Sequence, residues 1–205
     1  MELTQDINIK TLIEDGISRS ISYKEYRNLV EELVAADGTT GPNQTEALIE
    51  YTKLNDRRMR RWDKTLKVTD KVSEKVSNVN TSYTWLVLTE SWCGDAAHVM
   101  PAINKVASLN DNIDFKVVLR DENEALMDAF LTNGGRSIPK LIMIDSETKE
   151  VVNTFGPRPS EATQMVLDYK EEHGKITPEF KEDLQRWYNK DKGQTAINDL
   201  VELLS

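Results

Sequence analysis

Cys93 is the one cysteine in 205 residues, and it stands in Ser91-Trp92-Cys93-Gly94-Asp95-Ala96 between an apolar run and a helical pattern. A thiol at a strand-to-helix junction lies beside unpaired backbone N–H groups and the positive end of the helix dipole, and both favour thiolate over thiol. The chemistry this placement suggests is attack on a disulfide, including the disulfide form of a low-molecular-weight thiol. A two-cysteine redox pair needs a second cysteine at position 96, where the chain has Ala96. Any exchange must therefore use one sulfur, and an external thiol must release the product. Asp95, as an early helix residue, suits the dipole, yet its charge beside Cys93, with Glu90 nearby in sequence, opposes thiolate formation. The sequence leaves the net direction open. A protonated or inward-turned Asp95 is the alternative, acting as a proton acceptor.

Other chemistries fit the residue pattern poorly. His98 lies five positions after Cys93 on the same helical pattern, which turns it well away from the thiol, so a packed or exposed structural histidine is expected rather than a Cys-His dyad. With His173 the other histidine and Cys93 the sole thiol, no metal-ligand spacing is present, and Gly-rich phosphate loops are absent. No cofactor is expected. Peroxiredoxins place Thr or Ser where this chain has Glu90, and cysteine phosphatases need an arginine where it has Val99. The run Arg57-Arg58-Met59-Arg60-Arg61 has the charge to bind an anion, although such a run is usually a solvated face.

The elements that must hold these residues follow from periodicity. Ser22 and Glu25 have capping-box spacing, and Tyr26, Leu29, Val30, Leu33 and Val34 then mark an amphipathic helix up to Asp37-Gly38. A second helix, from Leu48 through Met59 and Trp62 toward Ser77, is expected to pair with it as an antiparallel hairpin. Trp85-Leu86-Val87-Leu88 reads as a strand buried on both faces. A helix from Gly94 to about Leu109, kinked at Pro101, follows it. Residues 113–119, 140–144 and 151–155 read as further strands, 122–132 as a helix, and another helix begins near Ser160. Thr177-Pro178 starts a tail helix, and Gly193 separates it from a last amphipathic segment. Alternation of strand and helix implies an α/β core. A net charge of −9, from 26 basic and 35 acidic residues, argues against nucleic acid or an anionic membrane surface as partner. The start Met1-Glu2-Leu3-Thr4 is unlike a signal peptide, and no run reaches the ~20 apolar residues of a membrane span, so a cytoplasmic protein is expected.

The order of these features resembles the thioredoxin family. Trp92-Cys93-Gly94 sits between a buried strand and a kinked helix, and Pro101 stands where thioredoxins carry their helix-kinking proline. Asp121-Glu122-Asn123 follows the next strand as a D-x-N does in that family, and Gly135-Arg136-Ser137-Ile138-Pro139-Lys140-Leu141 resembles the segment with the family's cis-proline. Gly156 also matches in place, and the likeness covers about Thr84 to His173. It implies a thioredoxin-like mixed sheet flanked by helices over 81–175, with a helical N-terminal extension over 1–80 and C-terminal helices over 176–205 packed on the domain. It also implies that Pro139 is cis and faces Cys93, that the Ile138 backbone offers β-type hydrogen bonds to an extended substrate, that Trp92 flanks the thiol, and that Trp92, Gly94, Asp95, Ile138 and Pro139 bind substrate. Two departures bear on mechanism. The resolving cysteine is replaced by Ala96, and the family's buried acid on the preceding strand by Val87. Two functions remain: monothiol exchange through Cys93 with a protein disulfide or low-molecular-weight thiol, or a redox-inactive binding or scaffold protein.

Overall fold

The computed structural model describes residues 2–204, with side chains from residue 9 onward. Five strands, β1 (Ile21–Ser22), β2 (Tyr83–Thr89), β3 (Ile113–Leu119), β4 (Lys140–Asp145) and β5 (Val151–Phe155), form one sheet in the order β1-β3-β2-β4-β5. The run at 85–88 is the middle of this sheet because it is apolar at every position and Trp85, Leu86, Val87 and Leu88 are all fully buried. β2 pairs in parallel with β3 across the helix α5 (Ala96–Ala107), and antiparallel with β4. β4 turns back into antiparallel β5 through a polar turn in which Asp145 Oδ1 accepts the N–H groups of Glu147 and Thr148. The result is a mixed α/β sheet flanked by helices.

The N-terminal part contributes α1 (Glu2–Ser18), α2 (Tyr23–Ala35), α3 (Glu46–Thr65) and α4 (Asp70–Ser77). Ser22 closes a full capping box with Glu25 at the start of α2, as its spacing predicts. α2 and α3 run antiparallel and are joined by charge: Arg27 meets Asp56 at 2.8 Å and Asp63 at 3.2 Å, and Lys53 meets Asp37 at 2.7 Å.

Three expectations are corrected. The second helix does not run unbroken to Ser77: it stops at Thr65, and Thr69 caps a separate α4 by accepting the Val72 N–H. The reason is tertiary, since Leu66 turns to an extended conformation and buries its side chain. The helix expected over 122–132 is shorter, a 3-10 turn at Arg120–Glu122 followed by α6 (Glu124–Ala129), because Thr132 and Gly135 pair as an isolated bridge. α1 and β1 are additions to the expected elements, although Ile9, Leu12, Ile13 and Ile17 have helical spacing and pack on the core. Gly16 within α1 lets that helix approach closely, for a Cβ there would stand 2.8 Å from Leu126 of α6 and 3.3 Å from Leu86 of β2.

The C-terminal part contains α7 (Ser160–His173), α8 (Pro178–Asp191) and α9 (Gln194–Glu202). Ala196, Ile197, Leu200 and Val201 of α9 belong to the same hydrophobic cluster as the sheet, whereas α7 and α8 share a smaller one around Ala162, Val166, Phe180 and Leu184. No described helix is long and apolar enough to cross a membrane.

Candidate functional site

Cys93 sits where β2 has ended and α5 has not yet begun, and it is almost wholly covered, with 8% of its surface exposed. Its Sγ donates to the Ile138 carbonyl at 3.2 Å, and the Ile138–Pro139 peptide bond is cis. The backbone N–H groups of Asp95 and Ala96, at the start of α5, favour its thiolate. Burial outweighs them, the Asp95 carboxylate adds to the effect, and the thiol is pushed up to about 12. At neutral pH the sulfur is therefore a protonated donor, not a standing nucleophile.

Asp95 is turned inward, but it is not an available base. Its Oδ2 lies 2.7 Å from the Arg158 guanidinium, and its Oδ1 accepts the Tyr188 hydroxyl at 3.0 Å. Burial raises its carboxyl, while Arg158 and the Tyr188 hydrogen bond hold it down. Arg158 reaches this place from the loop after β5. Gly156 opens that loop at φ +103°, in contact with the Pro139 carbonyl where a Cβ would collide, so glycine is required both by conformation and by space. Tyr188 comes from α8, outside the span over which the sequence resembles thioredoxins.

His98 is the structural histidine expected. Trp62 Nε1 donates to its Nδ1 at 2.9 Å, its Nε2 pairs with Gln185 Oε1 at 3.0 Å, and its ring stacks on Tyr188 with centroids 4.2 Å apart. The two bonds fit one neutral tautomer, Nδ1 accepting and Nε2–H donating. Burial, first, and the nearby Arg58 and Arg61 charges push it down to about 3.

The remaining positions frame the thiol. Trp92 is half-buried and lies under the Arg120 guanidinium, 4.9 Å from its ring centroid, while Arg120 itself pairs with Asp121. Gly94 faces Arg58 Nη1, which would be 4.0 Å from a Cβ at that position. Ala96 and Val87, at the places of the missing cysteine and acid, are fully packed. A different acid is buried close by: Glu90 has no exposed surface, its Oε1 accepts the Asp121 N–H at 2.8 Å, and burial raises its carboxyl.

A buried polar network that sequence reasoning missed fixes the approach to the thiol. Ser91 N–H donates to Thr40 Oγ1 at 2.8 Å, Ser91 Oγ accepts the Thr40 N–H at 3.1 Å and meets Thr52 Oγ1 at 2.8 Å, and Asn55 Nδ2 donates to the Ser91 carbonyl at 3.0 Å. The loop before α3 and α3 itself therefore hold the segment just before Trp92-Cys93 by hydrogen bonds as well as by packing. Among the described residues, no group of three or more His, Cys, Asp or Glu side chains is placed to hold a metal ion.

Comparison with known proteins follows the same outline. A family model described as Thioredoxin matches residues 41–175, which takes in α3 and α4 as well as strands β2 to β5. No curated protein matches the chain. Among solved structures, a protein of unknown function from Pseudomonas aeruginosa is similar at 19% identity and TM-score 0.53, covering 90% of this chain and 97% of that one. An HIV epitope-scaffold protein is similar at 19% identity and TM-score 0.54, covering 90% of this chain and 98% of that one. These likenesses concern the fold alone. The matched family span holds Cys93, the Ile138–Pro139 segment and four of the five strands: the chain belongs to the thioredoxin family.

Proposed function

We propose that this protein is a thioredoxin-fold binding module that keeps Cys93 as a neutral thiol against the Ile138–Pro139 segment. The observation that carries this reading is the sulfur itself, buried, donating to the Ile138 carbonyl at 3.2 Å and pushed up to about 12. A thiol so displaced from the free value of ~8.5 has about three-thousandfold less thiolate at neutral pH. No second cysteine is present to complete an internal cycle. In this reading the helical additions and the surface beside Trp92 and Pro139 serve non-covalent contacts.

Monothiol exchange is the second reading, favoured by the backbone N–H groups of Asp95 and Ala96, which act to lower the thiol. In that reaction the Cys93 thiol gives its proton to solvent and attacks one sulfur of a protein disulfide or oxidised low-molecular-weight thiol. The other sulfur leaves as thiolate, and an external thiol then releases Cys93. The rate of Cys93 alkylation against pH separates the readings, because one cysteine makes each modified molecule unambiguous. The binding module predicts slow labelling and an apparent pKa above about 10. A pKa below about 8.5 with rapid mixed-disulfide formation overturns it in favour of exchange.

A further inference from the structure

Away from the thiol, the turn between α3 and α4 packs against the turn between α8 and α9 and leaves a groove of about 510 Å³ between them. Its walls are built. Gly193, at φ +76°, approaches so closely that a Cβ there would lie 2.6 Å from Leu66 Cδ2. Arg61 Nη2 donates to Asn189 Oδ1 at 2.6 Å, and Gln194 Nε2 donates to the Lys67 carbonyl at 3.1 Å, so each side is tied to the other. Arg61 is also seated over the Trp62 ring, 4.3 Å from its centroid.

Three cations, Arg61, Lys67 and Lys192, line this groove, and no aspartate or glutamate does. On a chain of net charge −9 that is a local reversal of sign. Among the described residues none of the three forms an ion pair with a carboxylate. The floor beside them is apolar, from Trp62 and Val68. The cavity lies within the ~300–1,000 Å³ range that holds small organic ligands. An arginine fork bonded to Asn189, with two exposed lysines beside it, suits a dianionic tetrahedral group better than a single carboxylate.

We propose that the groove bounded by Arg61, Trp62, Lys67, Val68, Asn189 and Lys192 is a binding site for a small phosphomonoester, its phosphate held by the three cations and its organic body lying on Trp62 and Val68. The proposal is independent of what Cys93 does. Trp62 is to carry the reporter: its indole N–H, bonded to His98, is one of four tryptophan indoles that a proton–nitrogen spectrum would record, to be assigned with Trp62→Phe. The probes are phenyl phosphate, inorganic phosphate and benzyl alcohol. Phenyl phosphate is expected to shift the Trp62 signal saturably at about 1 mM or below, and more weakly as salt is raised. The double variant Lys67→Glu/Lys192→Glu changes two exposed side chains, and it should keep the ligand-free spectrum while losing about tenfold or more in affinity. Undiminished affinity in that variant, equal binding of benzyl alcohol, or inorganic phosphate binding as tightly as the ester would each overturn the proposal.

Discussion

Replacing Asp95 by asparagine should wake the thiol. The carboxylate is the second cause, after burial, that raises Cys93, and Arg158 works in the opposite sense. In Asp95→Asn the amide would keep the shape, remove the negative charge and leave the guanidinium acting on the sulfur unopposed. Removal of a close like charge is worth about one pKa unit or more, so alkylation near pH 8 should quicken about tenfold. An unchanged rate would mean that burial alone silences Cys93. What the sequence displays of this site is its local part, Trp92 to Asp95 and the Ile138-Pro139 pair, because the chemistry is written in neighbouring letters. The partners that decide the thiol's state are not legible there. Arg158 and Tyr188 lie 63 and 93 positions beyond Asp95, and nothing in their own surroundings marks them. Glu90 stands out in the sequence only as a charge near Cys93, whereas its burial and its bond to Asp121 are properties of the folded chain.

Among the elements, the α2–α3 pair rests on a nearly buried arginine. Arg27 is held between Asp56 and Asp63, with 10% and 4% of the Arg27 and Asp56 side chains exposed. Arg27→Ala should cost about 3 kcal/mol in urea unfolding, since the buried Asp56 then keeps only the more exposed Arg60 at 2.9 Å and the partly exposed Asp63 loses its cation. Arg27→Met should cost less than Arg27→Ala, as it keeps the packing volume. In α9, Leu200 has no exposed surface, and Leu200→Ala should cost about 2–5 kcal/mol, comparable to a change within the sheet. A loss under about 1 kcal/mol would show α9 to be loosely docked. The ranges of β3 and β5 can be read from their residue pattern, and the starts of α2 and α8 from their caps, Ser22 and Thr177. The break between α3 and α4 cannot, for Leu66 leaves the helix to meet Gly193, a contact made across the fold.

For the molecule as a whole, acid should act through His98. Its folded value lies at about 3, below the unfolded ~6.5, so between those values the unfolded chain takes up a proton that the folded chain refuses. Stability therefore falls as pH drops through this window, by about 2–3 kcal/mol at a pH of about 4.5. A proton on Nδ1 would also set the ring against the Trp62 N–H that it now accepts. The loss between about pH 6.5 and about pH 4.5, followed by urea unfolding, should be clearly smaller in His98→Gln, and equal losses would remove His98 from the account. The sheet's outline carries a different consequence. One border is β1, two residues long, with Ser22 already engaged as the cap of α2; the other is β5, whose middle residues Val152, Asn153 and Thr154 face solvent. A sheet with one usable border extends only once. Two copies joined along β5 would close on each other about a twofold axis and present only short β1 ends, so growth by strand addition stops at a pair and cannot propagate into a fibre.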